Sequence, residues 1–559
     1  GVDVSTIKME YQGIDKLSII NDRLVAHTSV GDVEETIPVS YQSSPEGRVK
    51  VAVEFMVKGN VVSFKTGNYD RSKPLVIDPN VVFCSYNGSP ANNWGFTATY
   101  SPNGAVYTGA MVLENGFPVS NGAYDVTFAG GVVGGDNSDI GIFKFSANGT
   151  AKLYATYVGG TGNDQAHSII ADANDNLIIA GRSNSGSSYP ASTVLGPVNN
   201  YDIVISKLNS SGTAMLGSAR IGGSQDDGVN IDVTRNGSNS LDDNYGDNGR
   251  SEVNIDVSGN IIVASCTKSA DFFTTPGVLQ TVFGGNQDGA IIKMNAALTA
   301  PIFSSYFGGS GNDAAYVVSI DKSTNNIYVA GGTESPNLPG DKTGVYQGTY
   351  QGNTDGFLTA ILPDGSLAFK TTYLGTGSKD QTYGVQFDRN NFPYVTGTSL
   401  GAWPVQNATY SNPGGKQYIS KMQKDLSGFV YSTVFGTNTP QHNISPIAFL
   451  VDQCENVYVA GWGGSISPYS NAGTNGLPIT PDAIQSNTDG RDVYFFVLEK
   501  NATAQLFGSY FGVNSNTPAN PPYFNDHVDG GTSRFDPRGA VYIAICACGG
   551  GSGGAYPVT

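Results

Sequence analysis

The chain is short of charge, and of positive charge most of all. Charged residues make up 14% of its 559 positions, against about 25% in ordinary soluble proteins. Lys and Arg total 30 against 47 Asp and Glu, for a net charge of −17. Nucleic-acid recognition needs a basic footprint, so no nucleic-acid partner is expected. No apolar run is long enough for a helical membrane span. No signal peptide stands at Gly1, and Gly1 to Ile7 read as the middle of a folded domain, so residue 1 is expected not to be the native start. Cysteine is scarce as well: five residues are too few and too scattered for a disulfide framework or a zinc motif. Cys84 and Cys266 sit in apolar strand-like runs and read as buried thiols. Cys454, Cys546 and Cys548 leave room for one disulfide, with an odd thiol over.

Histidine is limited to His27, His167, His442 and His527. None forms a His-Glu-x-x-His arrangement, and there is neither a Gly-x-Ser-x-Gly elbow nor a P-loop. The string Gly549 to Gly554 lacks the strand–turn–helix setting of a phosphate cradle. A glycosidase needs two carboxylates flanking a cleft, and the sequence singles out no pair. These features point away from an enzyme and imply no obligatory cofactor.

What the chain has is glycine and repetition. Gly takes 73 of 559 positions, nearly twice the usual share of about 7%. With Asn, Ser, Thr and Tyr it implies tight turns joining short strands. A phrase of an aromatic or aliphatic residue followed by Gly recurs: Ser85-Tyr86-Asn87-Gly88, Thr156 to Gly160, Ala219 to Gly223, Ser305 to Gly309, Thr372 to Gly375, Thr433 to Gly436 and Ser509 to Gly512. Self-similarity of this kind marks a repeat architecture.

Residues 1–80 stand apart. Runs Thr6 to Tyr11, Lys16 to Ile20, Leu24 to Ser29, Glu35 to Tyr41, Lys50 to Val57 and Val61 to Lys65 read as strands of a small antiparallel β domain, the C-terminal part of a larger one. Pro74 and Pro79 mark a rigid exit.

From residue 81 to 559 each repeat offers four short apolar runs. In the second these are Ser168 to Asp172, Leu177 to Gly181, Asp202 to Leu208 and the Gly phrase. Four strands per unit, about seven times over, predict an all-β fold: a β-propeller of about seven four-stranded blades, the last incomplete, preceded by the small antiparallel β domain. An Asp opens the third run in five of six complete repeats and reads as a strand-entry residue accepting local backbone N–H bonds. The run Val81 to Tyr86 is expected to close the ring as the last blade's fourth strand, and the native chain is expected to continue past Thr559 to supply a third.

Tyr157-Val158-Gly159-Gly160-Thr161-Gly162-Asn163-Asp164, Ala171-Asp172 to Gly181, Asp202 to Leu208 and Gly212-Thr213 together resemble the bacterial SBBP-type β-propeller repeat. Tyr306 to Asp313 with Asp321 to Gly331 does so too. Arg71 to Pro79 resembles the end of the β domain that often precedes such repeats. Cys454 to Gly464 and Ala544 to Gly550 are similar to segments of large Bacteroidota surface proteins that carry a gliding-motility-associated C-terminal sorting domain. The resemblance implies secretion by the type 9 system, an extracellular location at the cell surface or outer membrane, and a partner in the secretion or gliding machinery. It carries over no catalytic residue. The insertion Thr234 to Arg250 departs from the repeat, as does Thr437 to Asn443, which lacks the Gly-Gly-x-x-x-Asp form.

Two sets of residues are candidate sites. Asp242, Asp243, Asn244, Asp247 and Glu252 offer hard oxygen ligands among glycines, suited to Ca²⁺ though not at EF-hand spacing; a solvated acidic loop is the plainer reading. Trp403 and Trp462, just after second strands, are candidates for stacking on sugars, with blade packing as the plainer reading. The function expected is that of a non-catalytic surface protein that binds or scaffolds a protein partner through loops on a rigid ring. The alternatives are a carbohydrate-binding adhesin and a secreted hydrolase with a loop-built cleft.

Overall fold

The computed structural model describes residues 4–547, apart from 5–6, 21–22, 29–30, 36–38, 45–46, 72–74, 79–82, 131–136, 229, 231–240, 242–243, 245, 465–470 and 514–525. The chain divides into two compact units, the first made chiefly of Gly1–Cys84 and the second of Ser85–Pro478 with Gln485–Val558. Both are all-β. The helical turns among the described residues span only three residues each, and no helix is long and apolar enough to cross a membrane.

The first unit holds three antiparallel three-stranded sheets. Lys16–Ile20, Arg23–Thr28 and Val61–Thr66 follow the expected runs. Leu17, Leu24, Ala26, Phe55 and Val62 form its core. The expected run Glu35 to Tyr41 divides between Gly31–Glu35 and Val39–Ser44, and Lys50 to Val57 between Gly47–Lys50 and Val53–Lys58. Val76–Asp78 in the supposed exit segment pairs with Val39–Ser44.

The second unit contains six sheets in which four strands run in sequence order and antiparallel. Their first strands are Asn93–Tyr100, Asp164–Ala171, Glu252–Ile255, Asp313–Ile320, Asp380–Phe387 and Ser445–Val451. Each first strand touches that of the next blade. A seventh, shorter blade has a first strand in two pieces, Asp526–His527 and Arg534–Phe535, and a second in two pieces, Val541–Tyr542 and Cys546–Ala547; it touches both Ser445–Val451 and Asn93–Tyr100, which closes the circle. Thr97 Oγ1 donates to Thr532 O at 2.6 Å, Asp529 N to Gly95 O at 2.9 Å, and Ser533 N to Ile447 O at 2.9 Å. This is a β-propeller with its first strands innermost. Of the closing strand expected from Val81 to Tyr86, Phe83 to Tyr86 carry no strand, and Val81 and Val82 lie outside the described residues. A fourth strand pairs along a third, and the described part of the seventh blade has only its first two.

The second and third strands of the middle blades are covered on both faces, as their continuous apolar runs predict. Cys266 is buried in one of them, and burial pushes its thiol up to about 12. Cys84 is half-buried and outside any strand. Cys454 is exposed and Cys546 buried, and neither is in a disulfide, so the bridge expected among the late cysteines does not join these two. Cys548 lies outside the described residues.

One irregularity repeats around the ring. The register of the innermost strand slips by one residue at Phe96, His167, Tyr316, Tyr383 and Ile447. Such a bulge pushes the backbone toward the neighbouring strand and turns an extra side chain inward. In four blades the residue facing the bulge is glycine: Gly181, Gly331, Gly397 and Gly461. A Cβ on each would run into the carbonyl of Gln165, Ala314, Gln381 or Ser445. The recurrent glycine that ends the second run is therefore a clearance for the bulge.

A second recurrent glycine, closing the fourth strand, lies between two buried carboxyls. The flanking pairs are Asp139 with Asp164 at Gly159, Asp202 with Asp227 at Gly222, Asp288 with Asp313 at Gly308, and Asp492 with Asp526 at Gly512. The strand-entry reading of the third-strand aspartate holds where a backbone N–H reaches it: Ala129 to Asp139 at 2.8 Å, Gly284 to Asp288 at 2.8 Å, Gln351 to Asp355 at 2.7 Å. Its other oxygen, in Asp139, Asp202, Asp288, Asp355 and Asp492, has no hydrogen-bond partner among the described residues. Burial first, and a neighbouring carboxylate second, push Asp139, Asp288, Asp355 and Asp492 up to about 7. Burial takes Asp227 to about 8. Asp202 has a cation at its side, with Arg220 Nε at 2.6 Å. The junction after the fifth blade replaces both acids with amides, Gln417 and Asn443 flanking Gly436, and puts the Gln417 amide nitrogen where the others have the orphan oxygen.

Two outcomes are expected from these features. Gly331→Ala should lower stability by about 2 kcal/mol or more in urea unfolding, while Gly428→Ala, whose Cβ would meet open space, should change it by under about 0.5 kcal/mol; equal effects would contradict the clearance. The raised aspartates bind protons more tightly folded than unfolded, so their stabilisation is full below about pH 4 and is lost as pH rises through about 7. Burial holds His167 neutral, which opposes this below about pH 6.5, but one histidine faces several aspartates. The unfolding midpoint should therefore fall between about pH 5 and pH 8, and Asp288→Asn should flatten the slope by about one proton. A midpoint that climbs across that window would refute the protonated pairs.

Candidate functional site

The bulged side chains converge with the insertion of the third blade on the axis of the ring. Phe96, His167, Tyr316 and Tyr383 come from four blades and are all buried. Between them lie Leu241, Asn244 and the turn Asp247–Gly249, followed by Arg250 and Ser251. A Cβ on Gly249 would stand in ordinary van der Waals contact with Phe96 at 3.4 Å and His167 at 3.5 Å, so the turn packs directly against both rings. The described part of the insertion, Leu241, Asn244 and Gly246 to Arg250, packs against these inner strands and joins no sheet.

The polar groups of the insertion's described residues meet the blades at several points. Tyr316 OH donates to Leu241 O at 2.7 Å, and Asn230 Nδ2 donates to Tyr316 OH at 3.0 Å. Asn244 Nδ2 donates to Tyr383 OH at 3.0 Å, and His442 Nε2 lies 2.6 Å from Asn244 Oδ1. Asp247 accepts from Asn244 N at 2.9 Å, from Tyr383 OH at 2.9 Å and from Arg250 Nε at 3.0 Å. The Arg250 guanidinium donates onward to Pro446 O at 3.1 Å and lies 4.5 Å over the Tyr383 ring. Arg182 reaches Asn248 O at 3.1 Å, and His167 Nδ1 lies 3.0 Å from Ser251 Oγ. Glu252 Oε2 accepts from Val318 N at 2.9 Å, while its Oε1 is 3.5 Å from Arg534 of the seventh blade. Arg534 also donates to Ile169 O at 3.0 Å.

Of the calcium candidates, Asp242 and Asp243 lie outside the described residues. Asn244 and Asp247 are brought together, but protein donors occupy their oxygens, and Glu252 faces Val318 and Arg534 instead. Trp403 is 7% exposed, lies flat on Tyr418 at 3.7 Å between centroids, and donates to Ser432 Oγ at 2.9 Å. Its edge lines a groove of about 550 Å³ with Leu400, Val405, Pro413 and Lys416. Trp462 is 1% exposed. Both rings are packed into blades, and neither turns an open face outward. Reading the sequence missed His167, Tyr316, Tyr383, His442, Arg250 and Arg534. The one available signal was the position of each bulge residue opposite the recurrent glycine.

A family model described as a domain of unknown function, DUF7948, matches residues 1–80. No curated protein matches the chain. Solved structures similar to it include U3-55K, at 8% identity over 84% of this chain and 94% of that one, TM-score 0.37. YCF48 bound to D1 peptide is similar at 8% identity over 83% and 96%, TM-score 0.35. A mutant of NanB sialidase from Streptococcus pneumoniae is similar at 11% identity over 94% and 79%, TM-score 0.34.

The axis makes a test of its own. Arg250→Ala leaves the Asp247 carboxylate buried without its cation and should cost about 3–5 kcal/mol. The double variant Asp247→Asn with Arg250→Met should lose less in urea unfolding. A double variant no more stable than Arg250→Ala would show that the buried pair is not what ties the insertion in.

Proposed function

We propose that the protein is a non-catalytic binding or scaffold module in which a rigid propeller presents its outer loops to a protein partner. The observation that carries this reading is the filled axis. Most of the polar side chains that the described residues bring to it are engaged with one another and with the insertion, His167 Nε2 being an exception, and recognition falls to the loops around the ring. Closure through the seventh blade gives those loops a stiff base, which lowers the ordering cost of binding. The likeness of the repeats to SBBP propellers, and of Cys454 to Gly464 to Bacteroidota surface proteins, supports a location at the cell surface and a partner in the outer-membrane secretion or gliding machinery.

The test is affinity purification of the native protein from the cell envelope in mild detergent, with mass spectrometry of what accompanies it. Stoichiometric recovery with an outer-membrane assembly is the expected result. Recovery alone, together with a glycan-array hit lost in Trp403→Ala, would replace this reading with a carbohydrate-binding adhesin. Turnover in a broad glycoside screen would replace it with a hydrolase.

A further inference from the structure

The seventh blade gathers a different chemistry. His527 and Cys546 are direct cross-strand partners, since Asp526–His527 pairs with Cys546–Ala547. Cross-strand partners project their side chains on the same face of a sheet. Asp529 follows His527 by two residues, the spacing that returns an extended chain to the same face. Its backbone N–H is fixed by Gly95 O at 2.9 Å, across the junction with the first blade. His527 Nε2 and Asp529 Oδ1 lie 2.9 Å apart. The His527 nitrogen, the Asp529 oxygen and the Cys546 sulfur all fall within 4.8 Å of one another. The three residues are only 5%, 5% and 8% exposed, and the Trp462 ring stands 5.6 Å from the imidazole.

We infer that His527, Asp529 and Cys546 form a site for a borderline-soft divalent transition metal, with Zn²⁺ as its natural class. Imidazole, thiolate and carboxylate are the three zinc ligand types, and this mixture of sulfur, nitrogen and oxygen does not suit Ca²⁺ or Mg²⁺. Binding replaces the thiol proton of Cys546, released to solvent, with a sulfur–metal bond. The neutral imidazole gives its lone pair and Asp529 a carboxylate oxygen, with no change of oxidation state. The sequence carries no zinc spacing because the ligands come from two different strands, brought together only when the last blade pairs. A metal there fastens the two strands of the shortest blade, at the point where the ring closes.

The probes are Co²⁺ and Zn²⁺ with the full chain. The expected results are uptake of about one Co²⁺ per chain with a thiolate-to-cobalt absorption band, and Zn²⁺ protection of Cys546 from alkylation, read by peptide mass spectrometry in the unmutated protein. The band should vanish in Cys546→Ser and His527→Ala, weaken in Asp529→Asn, and persist in Cys454→Ser, which alters an exposed thiol elsewhere. The alkylation measurement needs no variant, so a misfolded mutant leaves the inference testable. No thiolate band in the unmutated chain, a band that survives Cys546→Ser, or alkylation of Cys546 at the same rate with and without Zn²⁺ would each overturn it.

Discussion

The architecture turns on one steric fit: a bulge in the innermost strand of a blade against a glycine in the second. A bulge adds a residue to one strand only, so the partner backbone must approach more closely than a side chain allows. Gly181, Gly331, Gly397 and Gly461 give that room. The consequence lies on the opposite side, where the inserted residue points at the axis. His167, Tyr316 and Tyr383 are there because of the bulge, and they carry the hydrogen bonds that hold the insertion. Without the glycines the blades would still be sheets, but the axis would lose these contacts.

The carboxyl pairs at the blade junctions are a second product of close approach. Two acids beside one glycine in a buried place cannot both stay ionised cheaply. The junction with Gln417 and Asn443 shows what the place asks for. There an amide N–H stands where the other junctions hold an orphan carboxyl oxygen, and the site is neutral. A protonated aspartate meets the same demand with an O–H. Asp202 takes a different route, since Arg220 stands at its side and supplies the charge. One geometric need is thus met in three ways around a single ring. This favours a local hydrogen-bonding role for the aspartates over a role in ligand binding.

The blades were legible because their signal is local. Each strand announces itself by an apolar run, a turn and a glycine, and the boundaries Asp202–Leu208, Asp288–Met294 and Asp355–Ile361 agree with the runs read from sequence. The runs Glu35 to Tyr41 and Lys50 to Val57 misled because strands of two different sheets follow one another there closely enough to read as one run. The closing strand misled for another reason: Phe83 to Tyr86 belong to a run of the right composition yet carry no strand, since composition alone does not provide a partner edge. The insertion was the hardest. As sequence it is acidic, glycine-rich and polar, the signature of a solvated loop. Asp247 and Asn244 are nonetheless buried, because their partners Tyr383, His442 and Arg250 lie far off in sequence or on the insertion itself.

The same reasoning explains why the chemistry of this protein hides from its sequence. In a propeller the residues of one blade are consecutive, whereas the residues of a junction or of the axis are drawn from the whole chain. Asn244 meets His442 across nearly two hundred residues, and Thr97 meets Thr532 across more than four hundred. A motif search looks along the chain and sees only what one blade contains. It reports aspartates and glycines that serve the blade and passes over groups that meet only once the circle is complete. His527, Asp529 and Cys546 fit that pattern: nothing sets them apart in sequence order, and they become neighbours through a two-residue strand pairing and a backbone bond to the first blade. Closure of the ring is therefore the step that assembles both the filled axis and this cluster, and damage to the seventh blade should be felt at both.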